Sequence, residues 1–262
     1  MIDGQQHRMT LGLRALDPTH WLLVDEEFDT MLAEKRRLLQ EHSDQVLATM
    51  PQGDAPAAEL LKMIVADKRR HHPGSPADPD PDEHPIRAAA LLVQEDLCVL
   101  TQEPQGWVMT SACVCFPSRW DLPSKMGRTV RAIHDPVPHY STIARPVDMI
   151  FDRLTPDRPM WRTNWTMVPS PALFMPGRPA VDDAGQLTFR VERQTLRRLP
   201  DTSAIVFTIR TYRHRLAALG AVDPKALHAL AATVRTVDPQ TARYRGWHEL
   251  PALQDWLGAH VR

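Results

Sequence analysis

Apolar residues recur at helical spacing near the start of the chain. Between Glu26 and His42, Phe28, Met31, Leu32, Leu38 and Leu39 fall on one side of a helix among charges. A second helix is predicted from about Ala57 to Arg70, with Leu60, Leu61, Ile64 and Val65 turned inward. Residues 11–24, which precede both, carry apolar positions and Pro18 and read as an extended arm or short turn packed on the body. The period is lost at residues 71–85, HHPGSPADPDPDEHP, where proline and aspartate forbid helix and strand and predict an exposed loop. A short buried helix at residues 86–94 follows. Leu97–Gln102 and Trp107–Phe116 then form a predicted hairpin about the turn EPQG.

Farther along, Met126, Val130, Ile133 and His134 share one side of a helix predicted from about Ser124 and stopped by Asp135-Pro136. Pro146 suits the first position of another helix, whose stripe is Val147, Ile150, Phe151 and Leu154. Trp161–Val168 has strand character, with Trp161 and Trp165 able to share a face that Asn164 cannot join. The apolar, proline-rich loop SPALFMPGRP after it suits the wall of a pocket. From Leu187 the pattern alternates. Leu187, Phe189, Val191 and Arg193 lie on one face, Thr188, Arg190, Glu192 and Gln194 on the other. Arg193 thus continues an apolar row and must meet a buried anion or a polar pocket, because an unpaired buried charge is costly. Arg190 and Glu192 read as an ordinary surface pair. Ala204–Tyr212 is apolar enough for a central strand. Helices complete the chain: one ending near Gly220, one opened by Asp223-Pro224, and a last one with Leu253, Trp256, Leu257 and Val261. The sum is an α+β fold.

Composition narrows the function. The 262 residues suit a single domain, with the 71–85 loop as an insertion and residues 216–262 as C-terminal helices. With 31 basic and 32 acidic residues the net charge is -1, so no overall field draws the chain to nucleic acid or membrane. No run approaches the roughly 20 apolar residues of a membrane span, and the first residues lack a secretory layout, so a cytoplasmic location is expected. Cys98, Cys113 and Cys115 fit a reducing compartment and fall one short of the usual four-cysteine iron–sulfur set. Redox chemistry here would take its electrons from another chain or domain. His71, His72 and His84 read as solvated loop histidines, and no phosphate loop, nucleophile elbow or His-Glu-x-x-His helix is present. His134, at the end of an apolar face, has two readings. It is a core histidine satisfied by a backbone carbonyl, or the axial ligand of a flat, hydrophobic metal cofactor such as haem.

Five segments, QEDLCVL, FPSRW with the later IHDPVP, RTNW, SPALFMPGRP, and RVERQTLRRLP followed by AIVFTIRTY, occur in order over roughly residues 15–215. In these blocks the chain resembles the haem-dependent oxidative N-demethylase alpha subunits. The resemblance implies a PAS-like antiparallel β-sheet flanked by helices, holding haem b. It further implies oxidation of small secondary or tertiary methylamines by dioxygen, releasing formaldehyde, with electrons from partner subunits carrying flavin and an iron–sulfur centre. Carried over position by position, His134 would be the proximal iron ligand and Arg193 would lie on the oxygen side of the iron. Glu192 would neutralise a cationic amine or relay a proton, Asn164 and Trp165 would line the pocket, and Arg197 and Arg198 would hold the haem propionates. A haem-binding gas or redox sensor without turnover, and a module that binds no haem, are the alternatives.

Overall fold

The computed structural model describes residues 11–177, 187–247 and 250–260. Its centre is one antiparallel sheet of seven strands: β1 (Arg14–Ala15), β2 (Leu47–Thr49), β3 (Asp96–Glu103), β4 (Gly106–Cys113), β5 (Met160–Val168), β6 (Thr188–Arg198) and β7 (Ile205–Arg215). They lie in the order β1-β5-β6-β7-β3-β4-β2. β7, the apolar strand predicted to be central, is the fourth of the seven. The β3–β4 hairpin turns on Pro104 and Gln105, with Gly106 supplying a φ of 118° that other residues rarely adopt.

Helices cover both faces, and alternation along β3 separates them. Leu97 and Val99 meet α1 (Phe28–Glu41), α3 (Pro51–His71) and α4 (Pro85–Ala90) in a core with Leu38, Leu60, Ile86 and Val206. The short α2 (Ser43–Val46) leads into β2. Cys98 and Leu100 instead join Trp107, Met109, Leu196 and Ile205 beneath α5 (Val130–His134) and α6 (Ser141–Arg153). A third cluster, around Met167, Phe189, Leu230 and Trp247, joins β5 and β6 to α7 (Leu216–Val222), α8 (Pro224–Thr236) and α10 (Pro251–His260), with the short α9 (Pro239–Tyr244) between the last two. The fold is α+β, as predicted.

Several element ends differ from the expected ones, each for a local reason. No helix starts at Ser124: Pro123–Lys125 is a single 3-10 turn, Gly127 takes a φ of 71°, and the chain re-enters helix only after Thr129, whose hydroxyl caps Ala132 N–H at 3.2 Å. Met126 therefore shares no helical stripe with His134. α6 begins at Ser141 rather than Pro146, its first turn closed by Thr142 on the His139 carbonyl, at 3.0 Å from the backbone N and 2.8 Å from the hydroxyl. α3 begins at Pro51 rather than Ala57, since a proline at the first helical position forfeits no bond. α4 stops at Ala90 because two buried lysines claim the carbonyls that would continue it: Lys35 bonds Ala90 and Val93 at 3.2 and 2.8 Å, and Lys68 bonds Leu92. β4 stops at Cys113 because the Asp96 carboxyl takes the Cys115 and Phe116 N–H groups at 2.9 and 3.0 Å. Residues 72–84, between α3 and α4, are irregular. Leu253 and Trp256 pack in the third cluster, whereas the Leu257 side chain, Val261 and Arg178-Pro179 lie outside the described residues. No described helix is long and apolar enough to cross a membrane.

Candidate functional site

The site is built on the sheet face that α5 and α6 cover. His134 closes α5, one turn after Val130, and its Nδ1 lies 2.8 Å from the Val130 carbonyl. A carbonyl only accepts, so the proton sits on Nδ1 and Nε2 keeps its lone pair. Burial pushes the His134 pKa below the usual histidine value, and the charges of Arg162 and Lys125 push the same way against the Val130 bond. The ring is therefore neutral at pH 7. The two readings of His134 converge on one geometry, because a metal-ligating histidine commonly ties its other nitrogen to a carbonyl. Tyr140 stacks on the imidazole at 4.8 Å and 14°. Its hydroxyl is buried with no hydrogen-bond partner among the described residues, and burial lifts its pKa to about 12.

A polar row on β5 and β6 shares this side. The register sets Arg162 opposite Gln194 and Asn164 opposite Glu192, and directly opposed residues share a face. Arg162 Nε donates to Gln194 Oε1 at 2.7 Å, which fixes the amide so that Gln194 Nε2 donates to Glu192 Oε2 at 2.9 Å. Asn164 Nδ2 reaches the same oxygen at 3.4 Å. The other oxygen, Oε1, has Arg190 Nε at 3.7 Å. The charge of Arg162 bears on His134, on Tyr140 and on Glu192, linking the histidine to the row.

Arg190 corrects the expectation of a surface pair. It is 0% exposed and holds the carbonyls of Leu173, at 3.1 Å, and Phe116, together with the Thr211 hydroxyl at 3.3 Å. The polar-looking face of β6 is thus the interior of the molecule.

The remaining predicted residues are engaged in other contacts. The β5–β6–β7 register runs without a bulge, so Arg193 is on the face opposite Glu192. There it donates to the carbonyls of Trp21, at 3.1 Å, and His20, and lies over the Trp161 ring at 5.7 Å. Arg197 is on that face too, 4.6 Å above Trp21. Arg198 spends its donors on the end of α6: Nε on Leu154 O and Nη2 on Phe151 O, both at 2.6 Å, and Nη1 on Ser203 O at 2.9 Å. Trp165 packs with Phe189 and Trp247, 5.7 Å from each, beneath Arg245. Of the predicted set, His134, Asn164, Glu192 and Arg198 are brought to one side, Arg198 at the α6 end of it. Arg162, Gln194, Lys125 and Tyr140 join them there. Alternation marks two of these, since Arg162 is two residues from Asn164 and Gln194 two from Glu192. Nothing in the residue pattern marks Tyr140.

The cysteines are buried, and burial pushes the Cys98 thiol far up; Cys113 and Cys115 approach to 3.8 Å between sulfurs. His84 faces Asp54 at 3.2 Å and His72 the Leu22 carbonyl at 3.1 Å. Among the described residues no three His, Cys, Asp or Glu side chains are grouped to hold a metal ion.

Fold and site define an α+β protein in which a neutral imidazole, its Nε2 bonded to no described residue, lies on the same side of the sheet as a carboxylate fixed by amides. The family described as haem-dependent oxidative N-demethylase, alpha subunit-like, matches residues 12–75 and 73–252, and the chain belongs to it. Its description carries haem dependence and an oxidative N-demethylase type of activity.

Proposed function

We propose that the chain is the haem-bearing, oxygen-consuming component of an oxidative N-demethylase acting on a small secondary or tertiary methylamine. The observation that carries this reading is the His134 imidazole, protonated at Nδ1 by the Val130 bond and free at Nε2, on the same side as Glu192. His134 Nε2 would hold the iron of haem b in a PAS-like sheet. Lys125 and Arg162, the two cations whose charges bear on His134, are each held below their usual pKa mainly by burial. Anionic propionates would relieve that cost, so these two are assigned to the haem edge. Bound haem supplies dioxygen activation.

The chain's own residues prepare the substrate. A methylammonium cation is drawn to the Glu192 carboxylate, and Oε1 is the oxygen left to receive it, since Oε2 already accepts from Gln194 and Asn164. Transfer of the ammonium proton to Oε1 exposes the nitrogen lone pair needed for oxidation. Arg162 keeps Gln194 from turning its amide and losing that donor. Arg190 is the guanidinium beside Glu192, while Arg193 and Arg197 fasten the Trp21 arm from the far face. Electrons come from a partner with flavin and an iron–sulfur centre, in a reducing cytoplasm compatible with three free cysteines. The test is oxygen uptake and formaldehyde release by haem-loaded, reduced protein with dimethylamine and trimethylamine. Amine-dependent uptake that falls in Glu192→Gln is expected; a protein that reduces normally yet consumes no oxygen with any methylamine overturns the proposal.

A further inference from the structure

The far face of the sheet carries a depression of about 250 Å³ between α3, the turn at Pro18 and the end of β6. Pro18, Met63, Ala66, Asp67, His71 and Arg197 line it. Two opposite charges face it without meeting: Asp67 and Arg197 each feel the other's field, yet neither bonds the other. Asp67 Oδ2 and Arg197 Nε are both buried and have no hydrogen-bond partner among the described residues. In folded proteins such groups are nearly always satisfied, by protein, water or ligand.

Arg197 is also held in place. Its guanidinium lies 4.6 Å over the ring of Trp21, a side chain that is 0% exposed, so the fork is presented on a rigid platform. Across from it the Asp67 carboxyl is pushed up by burial more than His71, Arg197 and His72 pull it down, the mark of an anion short of a close cation. Pro18, Met63 and Ala66 leave an apolar wall between the two.

The ligand class follows from this charge pattern. A simple cation would be repelled by Arg197 and Arg70, and a simple anion by Asp67. A molecule bearing both signs satisfies both. We propose that this depression binds a small zwitterion of the amino-acid class, its carboxylate on Arg197 and its ammonium on Asp67. The space is several times the roughly 30 Å³ share of one water, room enough for such a molecule. Because His134 belongs to the opposite face, this site is independent of the demethylase reading.

Calorimetric titration of the full chain with alanine, and separately with acetate and methylammonium as its two halves, tests the proposal. Saturable alanine binding is expected, with each half at least tenfold weaker. Asp67→Asn and Arg197→Gln should each weaken alanine at least tenfold, and His134→Ala should leave it unchanged. Asp67→Asn is nearly isosteric, so it decides the matter even where Arg197→Gln fails to fold, as checked by circular dichroism. Absence of saturation, halves that bind as well as alanine, or alanine binding indifferent to Asp67→Asn would each overturn it.

Discussion

Replacing Arg190 by Met separates an interior arginine from the surface arginine that the residue pattern implies. Arg190 is 0% exposed and its donors meet the Phe116 and Leu173 carbonyls and the Thr211 hydroxyl, with Glu192 at 3.7 Å. Removing it strands two carbonyls at about 1–3 kcal/mol each and leaves Glu192 without its nearest counter-charge. Methionine's apolar stem recovers part of this, so the net loss should be about 3–5 kcal/mol, the range for breaking one side of a buried charge pair. Urea unfolding at pH 7, followed by circular dichroism and tryptophan fluorescence, measures it. The double variant with Glu192→Gln should lose less than the sum of the single losses, because both act on one pair. A loss of less than about 1 kcal/mol, the range of a solvated ion pair, would refute the reasoning.

Two further outcomes follow from the same structure. Arg193→Ala should speed hydrogen exchange in the arm around His20 and Trp21, whose carbonyls it holds, and leave the spectrum of haem-loaded protein unchanged; an altered spectrum with unchanged exchange would return Arg193 to the cofactor. Asp96 is pushed up to about 6 by burial, from a usual value near 3.8. The folded state then binds the proton more tightly than the unfolded, so the carboxyl's contribution is complete below about pH 4 and fades as pH rises through about 6. Wild type should therefore lose about 2 kcal/mol relative to Asp96→Asn between pH 4 and pH 7.5, read from urea midpoints. A difference that stays constant with pH contradicts this.

The elements were largely legible because their apolar stripes are local. Phe28, Met31 and Leu38 mark α1 without help from any distant residue, and the alternation from Leu187 placed Glu192 and Arg193 on opposite faces. What alternation cannot reveal is which face becomes interior. Arg190 and Glu192 read as solvent-facing because their side chains are polar, yet the loops at Phe116 and Leu173 close over Arg190, and Asn164 on the neighbouring strand bonds Glu192. Likewise α4 and β4 end where they do because of Lys35, Lys68 and Asp96, charged residues satisfied by backbone groups. Such contacts have no period. His134 stood out by its place at a helix end, but its companion Tyr140 and the Arg162–Gln194 bond depend on the folded chain.

The most direct test of the account is the visible absorption spectrum of the purified protein with added haem, recorded for wild type and His134→Ala. A Soret band in wild type that shifts or disappears in the variant is the predicted result, with His134 Nε2 as the iron ligand. No retained haem, or identical spectra for the two proteins, would contradict it.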